Sequence, residues 1–174
     1  MTLLIDADWL IYSSCCACEQ DIQWDSNLHT LHADERDVHE MVDGRVAHYQ
    51  TIAEGDKNVV MCFTEYPTFR HTIYPEYKAN RKHKRKPLGL RKIIEGVRER
   101  YTSESYPGLE GDDVMSILAT SKKYSDSIIV SVDKDMRSVP CTLLAGDDME
   151  LITKRKADRL SLIHISEPTR QAEI

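Results

Sequence analysis

An α/β fold, with a central and mostly parallel sheet between helices, is what these 174 residues predict, and three observations carry it. Short apolar runs that read as buried strands recur at 2–6, 59–63 and 127–132. Helical periodicity lies between the first two, the pattern of a parallel crossover. Acids then stand at three transitions: Asp6 and Asp8 after the first run, Glu110, Asp112 and Asp113 opening a helix, and Asp133 and Asp135 after the last. Ligands of open parallel sheets bind outside the carboxyl ends of the strands, so acids placed there point to a site.

Taken in order, residues 2–6 form a continuous apolar strand, and 9–19 a helix with Leu10, Ile11, Cys15 and Cys18 on its inner side. The segment 26–32 is polar and turn-like. Residues 33–53 repeat Val38, Met41, Val42, Val46, Tyr49 and Ile52 at helical spacing, with Asp34 near the start and Gly55-Asp56 after the end. A second strand follows at 59–63. Residues 75–83 begin a short helix, and Pro87 opens another at its favoured first-turn position, with Leu90, Ile93, Ile94, Val97 and Tyr101 inward and the basic residues outward. Residues 111–122 are a helix striped by Val114, Ile117 and Leu118, and 127–132 the third central strand. Segments 141–145 and 149–153 flank Gly146-Asp147-Asp148 as an edge hairpin whose acids belong to the turn. No internal repeat is present.

At this length a single domain buries enough surface to fold without staples. A hydrophobic fraction of 41%, a charged fraction of 30% and a net charge of −6 describe a soluble protein with no membrane partner. No apolar run reaches spanning length, and the first residues are too short and acidic for a signal peptide, so the expected location is cytoplasmic. Five cysteines, with one C-x-x-C at Cys15-Cys16-Ala17-Cys18 and no second pair, read as free thiols that serve as small core residues, Cys62 and Cys141 included. His29, His32, His39 and His48 form no metal set and read as surface residues.

Carboxylates gathered in one crevice repel unless a cation neutralises them, so the ring formed by Asp6, Glu110, Asp113, Asp133 and Asp135, with Asp8 and Asp112 as supporters, is suited to magnesium. Taken singly, each group has a plainer reading: acids favour the first turn of a helix, and Asp133 or Asp135 can cap a turn. Three such groups in one pattern outweigh it. Eight of the 23 Lys and Arg residues fall between Lys78 and Lys92, a local strip in an acidic protein. A metal site beside a basic strip points to phosphodiester chemistry on a nucleic acid.

Ile5-Asp6-Ala7-Asp8-Trp9-Leu10, Tyr77-Lys78-Ala79-Asn80-Arg81-Lys82 with Lys86-Pro87 after it, Leu109-Glu110-Gly111-Asp112-Asp113-Val114-Met115, and Ser131-Val132-Asp133-Lys134-Asp135 resemble, in this order, the motifs of bacteriophage 5′→3′ exonucleases of the flap-endonuclease superfamily. The resemblance covers 2–159. It implies a PIN-like three-layer α/β fold and hydrolysis from 5′ ends of duplex DNA, flaps or RNA–DNA hybrids in phage replication and recombination, by a monomer using two Mg2+ ions, with Mn2+ as a substitute. It also implies metal-site roles for Asp6, Glu110, Asp113, Asp133 and Asp135, with Asp112 beside them and Asp8 where Asn or Asp is usual. Lys78 and Arg81, with Asp6 and Asp113, form the implied catalytic set. Many members carry Phe-Asp at the second strand end; this chain has Phe63-Thr64-Glu65, so Glu65 is read either as a ligand one position on or as a loop glutamate. Tyr77 is read either as a platform for a terminal base or as packing. Tyr77, Lys78, Arg81, Lys82, Lys84, Arg85 and Lys86 are the implied nucleic-acid contacts, made to phosphates without sequence information.

Two rival readings stand beside this one. Asp6-Ala7-Asp8 after a strand also fits a haloacid-dehalogenase-type phosphatase, with Asp6 as the nucleophile, although Trp9-Leu10 departs from that pattern and the basic strip has no place in it. The other is a non-catalytic nucleic-acid-binding remnant, because a second acid pair and a helix-hairpin-helix segment that follow in the family are not in this sequence. Leu160-Ser161-Leu162-Ile163-His164-Ile165-Ser166-Glu167-Pro168-Thr169-Arg170 resembles a translated sequencing adapter. The expected organisation is therefore a nuclease core at 1–159 and a non-native tail at 160–174, excluded from fold reasoning.

Overall fold

The computed structural model describes residues 1–55, 57–81 and 83–166. Lys82 of the basic strip and 167–174 of the expected tail lie outside the described residues. Along the chain run β1 (Thr2–Asp6), α1 (Ala7–Cys18), β2 (Gln20–Gln23), β3 (His29–His32), α2 (Glu35–Ile52), β4 (Asn58–Cys62), α3 (Phe69–Ile73), α4 (Leu90–Arg100), β5 (Thr102–Glu104), α5 (Gly111–Thr120), β6 (Ser127–Val130), β7 (Cys141–Ala145), β8 (Asp148–Ile152) and α6 (Lys154–Ser166).

Strand side chains alternate, and in β1 both sets are apolar: Leu3 and Ile5 pack with α1, α2 and α4, while Leu4 packs with α5, Met136 and Ala157 of α6. All three are fully buried. Burying each is worth about 1.5–3 kcal/mol, and a strand covered on both faces reads as the unbroken apolar run seen in the sequence. The sheet order is β5-β4-β1-β6-β7-β8, parallel except for the β7–β8 hairpin. Three layers result, as expected.

The chain builds β1, β4 and β5 outward on one side, then returns through α5 to start β6 on the other side of β1. Register brings Asp6 level with Cys62 and Ile5 level with Val130. The crevice at such a reversal is where ligands bind in open parallel sheets.

Several expectations are corrected. The segment read as turn-like contains half of an exposed hairpin, with Gln20 opposite His32 and Gln23 opposite His29; its strands are too short and polar to register as an apolar pattern. Among the described residues of 75–83 no α-helix forms; α3 ends at Ile73, and a 3-10 turn at Ala79–Arg81 follows Lys78, whose φ of +55° interrupts helical geometry. Helix α4 starts at Leu90 rather than Pro87 because Gly89, at φ +67°, takes the cap. Cys15 and Cys62 are buried, whereas Cys16 is exposed. His39 is wedged between α2 and α4, its Nδ1 2.7 Å from Arg100, rather than free on the surface. Helix α6 continues past residue 159, with Ala157 buried and Leu160 half-buried. Among the described residues, no helix is long and apolar enough to cross a membrane.

Candidate active site

Asp6 ends β1 and caps α1, its Oδ1 accepting the Trp9 N–H at 3.0 Å. Its Oδ2 accepts the Ser131 hydroxyl at 3.3 Å, and Ser131 in turn accepts the Asp133 N–H at 3.1 Å. The ends of β1 and β6 are thereby stitched together, with Asp133 capping the 3-10 turn Lys134–Ser138 through the Asp135 N–H. Across the crevice the first turn of α5 presents Glu110, Asp112 and Asp113.

The acids repel one another. Burial first, then the charges of Asp6, Asp133 and Glu110, push the Asp112 carboxyl up to about 7, against the opposing pull of Lys78. Burial, with the charges of Asp8 and Asp133, raises Asp6 to about 6, despite the bonds from Trp9 and Ser131. Asp6, Glu110, Asp112 and Asp133 therefore share one electrostatic environment.

The sequence pattern gives Asp112 a supporting place and Asp113 a ligand's place, and the structure arranges them otherwise. Successive helical residues point about 100° apart, so only one of the two faces Asp6. That one is Asp112. Asp113 is held by Arg70 in a two-pronged pair, Nη1 to Oδ2 at 2.5 Å and Nη2 to Oδ1 at 2.9 Å, and it also accepts the Glu110 N–H at 3.1 Å. The guanidinium keeps the Asp113 carboxyl below its ordinary range. Asp135 is exposed on the 3-10 turn, and Asp8 is bonded to the backbone of Thr64. Glu65 is half-buried after β4, its N–H donating to the Leu109 carbonyl. Among the described residues no group of three or more of these acids is arranged to enclose a metal ion.

The cationic side of the crevice comes from the segment after α3. Lys78 Nζ lies 2.9 Å from Glu110 Oε1, and the Tyr77 hydroxyl donates to Glu110 Oε2 at 3.1 Å. Burial works against the Lys78 charge, and the bonds and charges of Glu110 and Tyr77 more than restore it. Tyr77 also meets His71 edge-on, and His71 meets Tyr66 in the same way. Arg81 is exposed in the 3-10 turn, close enough for its charge to act on the Tyr66 phenol.

Lys84 and Lys86 are exposed, but Arg85 is committed elsewhere: it grips both oxygens of Glu19 at 2.8 and 2.6 Å, while Glu19 also accepts the Leu88 N–H. These bonds hold the Glu19 carboxyl down at about 2. Arg85 thereby tethers the strip to Glu19 at the end of α1. Arg70, Ser131, Thr64 and Glu19 carry contacts that sequence reasoning missed. Ser131 alone lay inside a recognised motif, while the other three needed partners distant in sequence.

The fold is thus a three-layer α/β structure in which Asp6, the acids at the start of α5 and the Lys78 segment lie at a reversal of strand order. The family model described as 5′-3′ exonuclease, N-terminal resolvase-like domain, matches residues 1–161, and the chain belongs to that family. It is similar to the exodeoxyribonuclease of Enterobacteria phage T3, 29% identical over 163 residues, covering 88% of this chain and 54% of the relative. It is also similar to the exonuclease of Escherichia phage T7, 30% identical over 146 residues, covering 79% and 49%. The chain spans about half the length of these curated relatives. A phage T5 protein co-crystallized with metal ions shares the fold, with a TM-score of 0.61 at 12% identity over 91% of this chain and 60% of that one.

Proposed function

We propose that this chain is the nuclease core of a magnesium-dependent 5′→3′ exonuclease that hydrolyses phosphodiester bonds from the 5′ ends of DNA. The observation that carries the reading is the shared environment of Asp6, Glu110, Asp112 and Asp133, in which burial and mutual repulsion raise Asp6 and Asp112, with Lys78 on its rim. The names of the phage T3 and T7 relatives and the metal-bound T5 structure support it.

The donor set fits a hard divalent cation in kind, since all four groups are carboxylate oxygens that carry more negative charge together than burial favours. Asp6, Glu110, Asp112 and Asp133 are the side chains that would hold Mg2+, and Mn2+ fits the same donors. Bound there, such a cation supplies charge neutralisation at the phosphate and a more acidic attacking water.

The chain's own groups do the rest. Lys78 directs a positive charge at the phosphoryl oxygens, where charge develops in the transition state. Tyr77 orients Glu110, and Ser131 holds Asp6. Arg81, Lys84 and Lys86 bind backbone phosphates without reading bases, which suits duplex ends, flaps and RNA–DNA hybrids alike.

The test is hydrolysis of a 5′-labelled duplex by the 174-residue chain, with Mg2+ and with chelator. Expected are short 5′-phosphorylated products that require Mg2+ and fall by at least about 10²-fold in Asp6→Asn and Asp112→Asn. Salt-dependent binding without cleavage would favour a non-catalytic DNA-binding role, and a trapped phosphorylated Asp6 would favour a phosphatase.

A further inference from the structure

We propose that Thr64, backed by Asp8, is a positioning residue for the acid crevice: its hydroxyl fixes the start of α5 and thereby the placement of Asp112 and Glu110 relative to Asp6. The inference rests on the nuclease reading and extends it to a residue that bears no charge.

Asp8 stands in the first turn of α1, two residues beyond Asp6, but its carboxylate is spent on the chain after β4. Its Oδ2 accepts the Thr64 N–H at 3.0 Å, which fixes the residue that carries the Thr64 hydroxyl. That hydroxyl accepts the Gly111 N–H at 3.0 Å. Thr64 is thus held through its N–H by Asp8 while its hydroxyl oxygen accepts from Gly111. The bond satisfies one of the orphan N–H groups that a helix leaves at its start.

Gly111 is pressed against Cys62 and Asp8. A Cβ there would lie 3.3 Å from the Cys62 carbonyl oxygen and 3.6 Å from Asp8 Oδ2, so the helix start already touches the end of β4 and has little room to shift toward it. Glu110 and Asp112 are its covalent neighbours. The relay Asp8–Thr64–Gly111 therefore joins the β1–α1 junction, the end of β4 and the start of α5, the junctions that carry or flank Asp6, Glu110 and Asp112. Groups behind the ligands orient them, and their removal commonly costs 10- to 100-fold in metal affinity.

The experiment compares Mn2+ affinity by calorimetry, without nucleic acid, and amide exchange at Gly111, in wild type, Thr64→Val, Thr64→Ser and Leu118→Ala. Thr64→Val keeps the shape and loses the hydroxyl, Thr64→Ser keeps the hydroxyl, and Leu118→Ala loosens α5 through its buried face only. Expected are at least about a 10-fold loss of Mn2+ affinity and faster Gly111 exchange in Thr64→Val, recovery to within about 3-fold in Thr64→Ser, and little change of affinity in Leu118→Ala despite its lower Tm. Thr64→Val with unchanged affinity, or with a loss that tracks Tm as in Leu118→Ala, would overturn the positioning role while leaving the nuclease reading intact. A wild-type chain that binds no Mn2+ would overturn the nuclease reading and this role with it.

Discussion

Lys78 places its ammonium 2.9 Å from the Glu110 carboxylate while its own backbone sits at φ +55°, in the left-handed region that non-glycine residues avoid. Strain of about 1–3 kcal/mol at such a residue persists only where surrounding contacts over-determine it, and here those contacts are with a buried acid of the crevice wall. The geometry aims a cation at the carboxylates rather than at solvent.

Replacing Lys78 separates the strain from the charge. Lys78→Ala is expected to slow single-turnover hydrolysis by about 10²- to 10³-fold. Lys78→Gly is expected to be as slow but more stable than Lys78→Ala by about 1 kcal/mol, because glycine adopts positive φ freely. Chemical denaturation alongside the rate assay decides it, and equal stabilities would mean that the backbone is not strained.

Stability without divalent cations should fall as pH rises through neutrality. Asp6 and Asp112 bind protons more tightly folded than unfolded, so their contribution is full below about pH 4 and is lost as pH passes about 6 and then about 7. Asp113 and Glu19 are shifted the other way, and their contribution is lost only toward acid pH, for Glu19 at about 2. Melting in chelator is therefore expected to peak near pH 5, and Asp112→Asn to raise Tm by about 2–4 °C at pH 7.5 and hardly at all at pH 4. A wild-type Tm that climbs steadily to pH 8 would contradict the crowding of the acids.

The basic strip should contain unequal cations. Lys84→Ala is expected to reduce the salt slope of DNA binding by about one counterion, whereas Arg85→Ala should leave it nearly unchanged, since Glu19 already neutralises Arg85. Glu19→Gln should speed tryptic cleavage after Lys84 and Arg85 with little change in Tm, because an ion pair at the surface contributes little to global stability. Equal slopes for the two alanine variants would show that Arg85 leaves Glu19 for phosphate.

Truncations test where the core stops. Removing 162–174 should leave Tm within about 1 °C of the full chain, since terminal segments outside a core contribute little. Removing 154–174 should cost several kcal/mol, at roughly 1.5–3 kcal/mol for each apolar side chain uncovered, because Ala157 of α6 packs with Met136, Val139 and Ile152. A large loss from the shorter cut would show that the expected tail belongs to the fold.

Much of the fold was readable because β1, β4 and β6 are buried on both faces and leave unbroken apolar runs, and because Asp34 caps its helix through a local bond to the Arg36 N–H. The β2–β3 hairpin and the three-residue β5 were not readable. Exposed or very short strands need no apolar pattern, since their pairing is decided by neighbours. The helix expected over 75–83 failed for a local reason, the positive φ of Lys78, which sequence leaves open for any residue but proline.

By itself the sequence determined which junctions carry acids, that a cationic segment stands among them, and that an α/β sheet places such junctions at one edge. Spacing along the chain is enough for that, because strand and helix periods are properties of the backbone. Only the tertiary structure decided that Asp112 rather than Asp113 faces Asp6, that Arg70 and Glu19 neutralise an acid and a base counted as functional, and that uncharged Thr64 and Ser131 tie the junctions together. Those choices depend on the rotation of α5 and on pairs 43 to 125 residues apart in sequence, such as Arg70 with Asp113 and Ser131 with Asp6, which no local pattern encodes.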